Sequence, residues 1–370
     1  MKLSHSKLSL ILTCPMSYYL NYKQGIKLKD EKAAFAIGSA VHWGIEHNTE
    51  DLTDYYKEKG IFQSDYGKDE LLAESMVHGY LKHKDELFKD LLQDLEEPDK
   101  QLELLEEIHE LEITAPLKSN KYKEPHEFLG IIDLLLLTNK GFIIVDYKTS
   151  SQTPDWDKYL EQIYRYIFLV KHEFPDIPIY KIGIINLKKS MIRIKKDENN
   201  ESFLLRLRRE YDINEDLINS HIFIRQDLDE QLINDYIENL SNMADMAQFI
   251  DENEAYYINY PNAMGIIYGK SDYYNIFFNT QDCYILYKIK DKTLDEDGNI
   301  LTERDCLPID MKVIKSKNVL NHYDMFIEKY PVDLTDKEAV FNYFKKNFIT
   351  DDYLLEKYWE LFEVEMRNAS

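Results

Sequence analysis

The stretch EFLGIIDLLLLTNKGFIIVDYK, residues 127–148, decides the fold. Two apolar runs, Ile131–Leu137 and Ile143–Val145, flank a Thr138-Asn-Lys-Gly141 turn, and the stretch carries two aspartates, Asp133 and Asp146. Strands apolar on both faces belong in the middle of a sheet. A carboxylate there is costly unless it is paired or coordinated. If Thr138 closes the hairpin opposite Gly141, counting back along both strands sets Asp133 opposite Asp146; a bulge at Gly141 would shift this by about one residue. Cross-strand partners have Cβ atoms about 4.5–5.5 Å apart, so two buried carboxylates would repel. A hard divalent cation that takes oxygen ligands, Mg²⁺ or Mn²⁺, would relieve the conflict. Lys148 lies two residues past Asp146 and so on the same strand face, where its ammonium could orient a water or balance developing anionic charge. An exposed hairpin face with one aspartate per strand is the alternative, and the apolar neighbours on both sides count against it.

Outward from this hairpin, the N-terminal Leu3–Tyr22 reads as a short turn and a helix, with Ser4 or Ser6 as cap and Pro15 at a bend. Ala33, Ala34, Ala36 and Ala40 favour a helix over 31–47. Leucine spacing predicts long acidic helices over 68–108. Strands are expected at Glu110–Leu117, Glu127–Leu137, Gly141–Tyr147 and Ile177–Leu187, and helices over 155–173, 199–219 and 226–252. After about 255 the composition turns to Tyr, Asn and Phe, with a hairpin-like acidic stretch at Asp291–Asn299 and two helical segments near 335–347 and 352–367. The order is α, then β-β-β-α-β, then α, with a C-terminal addition. This is an α/β chain with a central mixed sheet flanked by helices, a helical N-terminal region and a C-terminal α+β addition. The domain reading is 1–280 as core, with a helical insertion near 50–108, and 281–370 as an accessory region.

With 370 residues, 44% hydrophobic and 31% charged, the chain can bury a sizeable core. No run approaches the roughly 18 apolar residues of a membrane helix, and Leu8–Leu12 is too short for a signal peptide. No membrane partner is expected, and the cytoplasm of a bacterial or phage-infected cell is the expected place. Cys14, Cys283 and Cys306 give neither a disulfide framework nor a four-thiolate site. The formal net charge of −23 opposes tight binding to a polyanion without metal, although bulk charge does not fix the charge of a groove. No Gly-rich phosphate loop of the Walker type is present, so any helicase function would lie on another chain.

Five elements, in order across residues 4–166, resemble the RecB-type PD-(D/E)XK nucleases. Ser6-Lys-Leu8 with Cys14-Pro15-x-x-Tyr18 is similar to the N-terminal signature, and Gly38-Ser-Ala-Val-His42 to the glycine-then-histidine helix. Gly130-x-x-Asp133 resembles the second motif, Asp146-Tyr-Lys148-Thr the Asp-x-Lys motif, and Gln162-x-x-x-Tyr166 the helix that follows. The resemblance implies a restriction-endonuclease-like core. It implies His42, Asp133, Asp146 and the Tyr147 carbonyl as ligands to Mg²⁺ or Mn²⁺, and Lys148 as the catalytic lysine. It also implies Gln162 and Tyr166 as residues that position the site or touch DNA. Taken singly, His42 reads more readily as a packing histidine, Glu46 as a surface charge, and Gln162 and Tyr166 as parts of an amphipathic helix. The implied activity is metal-dependent hydrolysis of DNA, as an exonuclease in replication, recombination or phage metabolism. A separate helicase, recombinase or single-strand-binding protein is the expected protein partner. A catalytically quiet nuclease fold used for binding or assembly is one alternative, and a metal hydrolase of small phosphoesters another.

Many members of that group hold an iron–sulfur cluster on one N-terminal and three downstream cysteines. Cys14 matches the first, but Tyr268-x-x-Ser271-x-x-x-x-x-Phe277 has the downstream spacing without a thiolate. A cluster needs about four ligands, so none is expected; instead this segment should pack beside Cys14, with aromatics as the staple. Lys181–Arg209 holds nine Lys/Arg against three acids, a local net of +6. It is the candidate for phosphate contact, through Lys188, Lys189 and Arg193 above all, against a plain solvated face.

Overall fold

In the computed structural model the hairpin closes as its turn dictates. Thr138 pairs with Gly141 and Leu134 with Val145, with no slip between. Gly141 has a φ of +128°, a backbone conformation open to glycine, and a Cβ there would lie 2.2 Å from the Pro178 carbonyl oxygen. The residues described are 1–28, 33–150, 156–214, 217, 230–265, 270–278, 287–290 and 303–306.

The elements are β1 (Lys2–Ser4), α1 (His5–Thr13), α2 (Pro15–Tyr18), a π-helical turn (Tyr19–Lys23), β2 (Ile26–Leu28), α3 (Ala33–Glu46) and α4 (Thr53–Glu58). Then come α5 (Lys68–Leu91), β3 (Leu104–Leu117), β4 (His126–Thr138), β5 (Gly141–Lys148), α6 (Trp156–Glu173), β6 (Ile179–Asn186) and α7 (Asn200–Ile213). The last are α8 (Glu230–Glu252), α9 (Tyr260–Ala263), α10 (Tyr274–Phe278), β7 (Tyr287–Lys290) and β8 (Glu303–Cys306). The chain clusters into two compact units, Met1–His5 with Lys32–Asp245, and Ser6–Glu31 with Met246–Ser370. The segment Ser6–Glu31 thus groups with the chain after 245, where the sequence reading drew its boundary at 280.

The first unit is built on a mixed sheet in the order β1-β4-β5-β6, with β3 paired to β4. β1 and β4 run parallel, as do β5 and β6, whereas β3–β4 and β4–β5 are antiparallel. Leu134, Leu135, Leu136, Ile143, Ile144 and Val145 are wholly buried, each contributing about 1.5–3 kcal/mol of burial. Helices α3, α5 and α7 pack on one face, where Val41, Met76, Val77, Phe203 and Leu207 join Leu134, Leu136, Ile143 and Val145 in a single cluster. Helix α6 meets β4 at Gly130, where a Cβ would come within 2.4 Å of Leu169 Cδ1. The glycine of Gly130-x-x-Asp133 is therefore a packing requirement.

β4 carries β1 and β5 on one edge, and the two leave a gap between them. β1 covers Glu127–Leu129 and β5 covers Leu134–Thr138. Beyond Val145, β5 leaves β4 and stays with β6, where Asp146, Tyr147 and Lys148 pair with Ile184, Ile185 and Asn186. On the other edge the ladder steps from His109–Leu134 to Leu111–Ile132. It omits Glu110 and Asp133, which the register sets opposite each other. Glu110 has a φ of +47°, a conformation uncommon for a residue with a Cβ. Asp133 thus lies where β4 loses ladder partners on both edges.

The β4–β5 ladder thus stops before Asp133 could pair with Asp146 as the turn count set them, and two further sequence expectations change. The helix forecast over 68–108 ends at Leu91, and β3 begins at Leu104. Lys181 Nζ donates to the Leu91 and Gln93 carbonyls and so satisfies the open end of α5. The second change concerns Lys181 itself, which is fully buried and is a core cap, not a phosphate contact. The acidic hairpin at Asp291–Asn299 and the segments at 335–347 and 352–367 lie outside the described residues. No helix among the described residues is long and apolar enough to cross a membrane.

In the second unit, β2, β7 and β8 form an antiparallel sheet. Asp251 is its polar hub, accepting from Lys23 at 2.8 Å, Tyr18 at 3.2 Å and Tyr256 at 2.7 Å. Cys14, Ser17, Ser271 and Tyr273 line one cavity of about 240 Å³. The Ser17 and Ser271 hydroxyls are 3.4 Å apart, and Tyr273 donates to the Ile26 carbonyl at 2.8 Å. The described part of the thiolate-free segment, from 270 on, shares this cavity with Cys14, and Tyr273 ties it to Ile26.

Candidate active site

The fork in the sheet opens into a cleft of about 690 Å³ lined by residues of α3, β3, β4, β5 and α6, together with Tyr55, Thr149 and Ser150. One face of α3 supplies Phe35, Gly38, Ser39, His42, Trp43 and Glu46, all at helical spacing. Glu110, Asp133, Tyr147, Lys148 and Gln162 complete the floor and far wall.

Asp133 is buried at 8% exposure, and its Oδ2 accepts the Tyr147 backbone N–H at 2.8 Å. A side-chain carboxylate thus replaces the backbone acceptor that β5 loses on leaving β4, and it fixes the geometry of the fork. The other oxygen, Oδ1, faces His42 Nδ1 at 3.8 Å, and Glu110 Oε1 faces the same nitrogen at 3.4 Å. Among the described residues these three side chains each offer one ligand atom, all within 4.8 Å of one another. Asp146 is 1% exposed, and its Oδ2 lies 2.5 Å from Lys148 Nζ yet at an angle that makes no hydrogen bond. Tyr166 OH reaches Asp146 Oδ1 at 3.5 Å.

The electrostatics follow from this crowding. Burial first, and the Asp146 charge second, push the Asp133 carboxyl up to about 7. Burial works against protonating His42, but the hydrogen bond to Glu110 and the charges of Asp133 and Asp146 prevail and raise its pKa. Buried carboxylates around one imidazole, with one carboxylate oxygen lacking a hydrogen bond, fit a hard divalent cation.

The structure brings His42, Asp133, Asp146, Tyr147, Lys148, Gln162 and Tyr166 together. Lys148 Nζ donates to Gln162 Oε1 at 3.1 Å, and Gln162 Nε2 donates to Tyr166 OH at 2.6 Å. The amide, the phenol and Asp146 thus hold the lysine from two sides. The Tyr147 ring points away, into a 2.7 Å hydroxyl contact with Tyr80. Lys188, Lys189 and Arg193 do not line the cleft, although the Lys189 N–H bonds the carbonyl of Ser150 on its rim. Elsewhere in the basic run, Arg206 pairs with Glu198 and Arg208 with Glu50, which spends much of its local charge.

Glu110 is the functional candidate that the sequence did not single out. Its strand, LLEEIHELEITAPL, carries four glutamates, and nothing in the alternation marks one of them. The usable signal is the register, which sets Glu110 across from Asp133 once β3 is aligned with β4. Its left-handed φ costs on the order of 1–3 kcal/mol, and strain of this kind gathers at functional sites.

A family model described as the PD-(D/E)XK nuclease superfamily matches residues 2–255. Among solved structures, the chain is similar to a protein from Eubacterium rectale provisionally assigned as an exonuclease, at 13% identity and a TM-score of 0.36; the match covers 57% of this chain and 82% of that one. It is also similar to the protein SSO0001, at 13% identity and a TM-score of 0.23, over 57% and 75% of the two chains. No curated protein matches it.

Proposed function

Since the chain belongs to the PD-(D/E)XK nuclease superfamily, we propose that it hydrolyses DNA phosphodiester bonds with Mg²⁺ or Mn²⁺, as an exonuclease. The observation that carries this reading is the convergence of His42, Glu110 and Asp133 beside the Asp146–Lys148 pair, at the fork of the sheet. His42, Glu110, Asp133 and Asp146 would hold the ion, with the Tyr147 carbonyl as a further donor. Bound there, it would polarise a phosphoryl oxygen and lower the pKa of the attacking water.

The chain's own groups supply the rest. Lys148 Nζ, held between Asp146 and Gln162, orients the water and balances the charge that builds on the phosphorus oxygens as the water adds in line. Gln162 and Tyr166 keep that ammonium and Asp146 in register and so act as positioning residues. The P–O bond to the leaving sugar oxygen then breaks; that oxygen takes a proton from solvent, and the attacking water gives one up to solvent. A role in replication, recombination or phage metabolism, beside a separate helicase, recombinase or single-strand-binding protein in the cytoplasm, fits this reading.

The net charge of −23 favours a second reading, a quiet nuclease fold used for binding. Cleavage of linear single- and double-stranded DNA with Mn²⁺, Mg²⁺ or EDTA, beside Lys148→Ala, decides between them. Metal-dependent degradation that disappears in the variant is expected. No cleavage by the wild type, together with no divalent-ion binding by calorimetry, would select the quiet fold.

A further inference from the structure

Phe35 stands at the rim of the cleft on the same face of α3 as His42. It is 63% exposed, and among the described residues no ring packs against it. The other α3 aromatic, Trp43, is already engaged. Its face is stacked on His47 at 4.2 Å and 17°, and Tyr55 lies 5.8 Å away. A lone exposed phenylalanine is ordinary on a protein surface. One that shares a helix face with the candidate metal ligands, at the mouth of their cleft, is placed to meet the substrate.

Seven residues separate Phe35 from His42, about 10 Å along the helix axis. At 3.4 Å per nucleotide of a stacked strand, that is roughly three nucleotides from the phosphate being cut. Bases inside a duplex have both faces covered by their neighbours, so an aromatic ring can stack only on an unpaired or terminal base. The acid-lined floor repels a polyanion in the absence of metal, which leaves base stacking as the contact with the strand that does not depend on phosphate charge. Every base has a π-face, so such a contact tolerates any sequence.

We propose that Phe35 is a stacking platform for an unpaired base of the substrate, making this a nuclease of single-stranded or frayed polynucleotide ends. The inference rests on the nuclease reading, and its test separates the two. Binding of a single-stranded oligonucleotide carrying one 2-aminopurine, moved base by base, is measured by fluorescence with Mg²⁺ on Lys148→Ala protein. The same series is run on the Phe35→Ala/Lys148→Ala and Phe35→Trp/Lys148→Ala proteins.

The expected result is quenching at one or two positions, a loss of affinity of about 5- to 150-fold with alanine, and recovery with tryptophan. An abasic nucleotide at the quenched position should weaken binding to the Phe35-containing protein and leave the alanine variant indifferent. Equal affinity with and without the Phe35 ring, or the same abasic penalty in both, would overturn the proposal. Should the wild type cleave nothing, the nuclease reading fails while the binding comparison still decides the platform. If it cleaves, Phe35→Ala alone should raise KM on single strands by a similar factor and leave kcat within about twofold.

Discussion

Replacing Asp133 with Asn should make the metal-free protein more stable above neutral pH. Burial, then the Asp146 carboxylate, push the Asp133 carboxyl from its ordinary 3.8 up to about 7. A carboxyl raised by folding holds its proton in the native state while the unfolded chain has released it. Its stabilising contribution is therefore complete below about pH 4 and drains away as the pH climbs to about 7, where it levels off. Three pH units at 1.36 kcal/mol each give a total loss of about 4 kcal/mol. Asparagine does not titrate and keeps an oxygen to accept the Tyr147 N–H. The stability difference, variant minus wild type, should thus grow by about 4 kcal/mol from pH 4 to pH 8 in EDTA. Urea denaturation followed by tyrosine fluorescence across that range measures it. With Mg²⁺ the gap should narrow, because a ligand at 100 times its Kd adds about 2.7 kcal/mol to the protein that binds it. A pH-independent difference, or a wild type that is the more stable at pH 8 in EDTA, would refute the reasoning.

Three other outcomes are expected. Lys181→Met leaves the Leu91 and Gln93 carbonyls without their donor and should cost about 1–3 kcal/mol with DNA affinity unchanged; weaker binding at unaltered stability would restore Lys181 as a phosphate contact. Gly130→Ala forces a methyl against Leu169 and should lower stability by about 1–3 kcal/mol, read as an earlier urea midpoint; an unshifted midpoint would mean that α6 yields without cost. Tyr166→Phe removes the hydroxyl that meets Gln162 and Asp146, and kcat should fall about tenfold, the factor for roughly 1.4 kcal/mol, with the circular dichroism spectrum intact; full activity would leave the tyrosine a packing residue.

The hairpin could be read from sequence because one turn sets its register and every residue then follows at a period of two. The strand pairing runs in step as far as Leu134–Val145, but the fork beyond it could not be foreseen. It depends on β5 preferring β6 and on a carboxylate standing in for a carbonyl, neither of which leaves a mark in the alternation. His42 and the Gln162–Tyr166 pair are singled out by the family resemblance, since helical spacing alone reads them as packing and amphipathic positions. Glu110 stayed hidden because its left-handed backbone interrupts the strand's period at that residue, and regular burial alternation resumes only past it. Residues 92–108 misled because leucines and acids suit a helix surface as well as an edge strand. Lys181 misled because charge counting ignores position. It sits within the apolar strand Ile179–Asn186, a place where a solvated cation is not expected and a buried cap is.

The grouping of Ser6–Glu31 with residues after 245 has a consequence for synthesis. About 215 residues must be added between the two halves of that unit, which takes roughly 10–40 s at ribosomal speed. Through that interval Leu8, Ile11, Tyr18 and Leu20, all buried in the finished protein, lack the partners that the later half of their unit supplies. The first unit, by contrast, has all of its chain once Asp245 has emerged. The first unit would therefore mature before its companion, while the apolar segment Ser6–Glu31 waits for the chain after 245 to cover it.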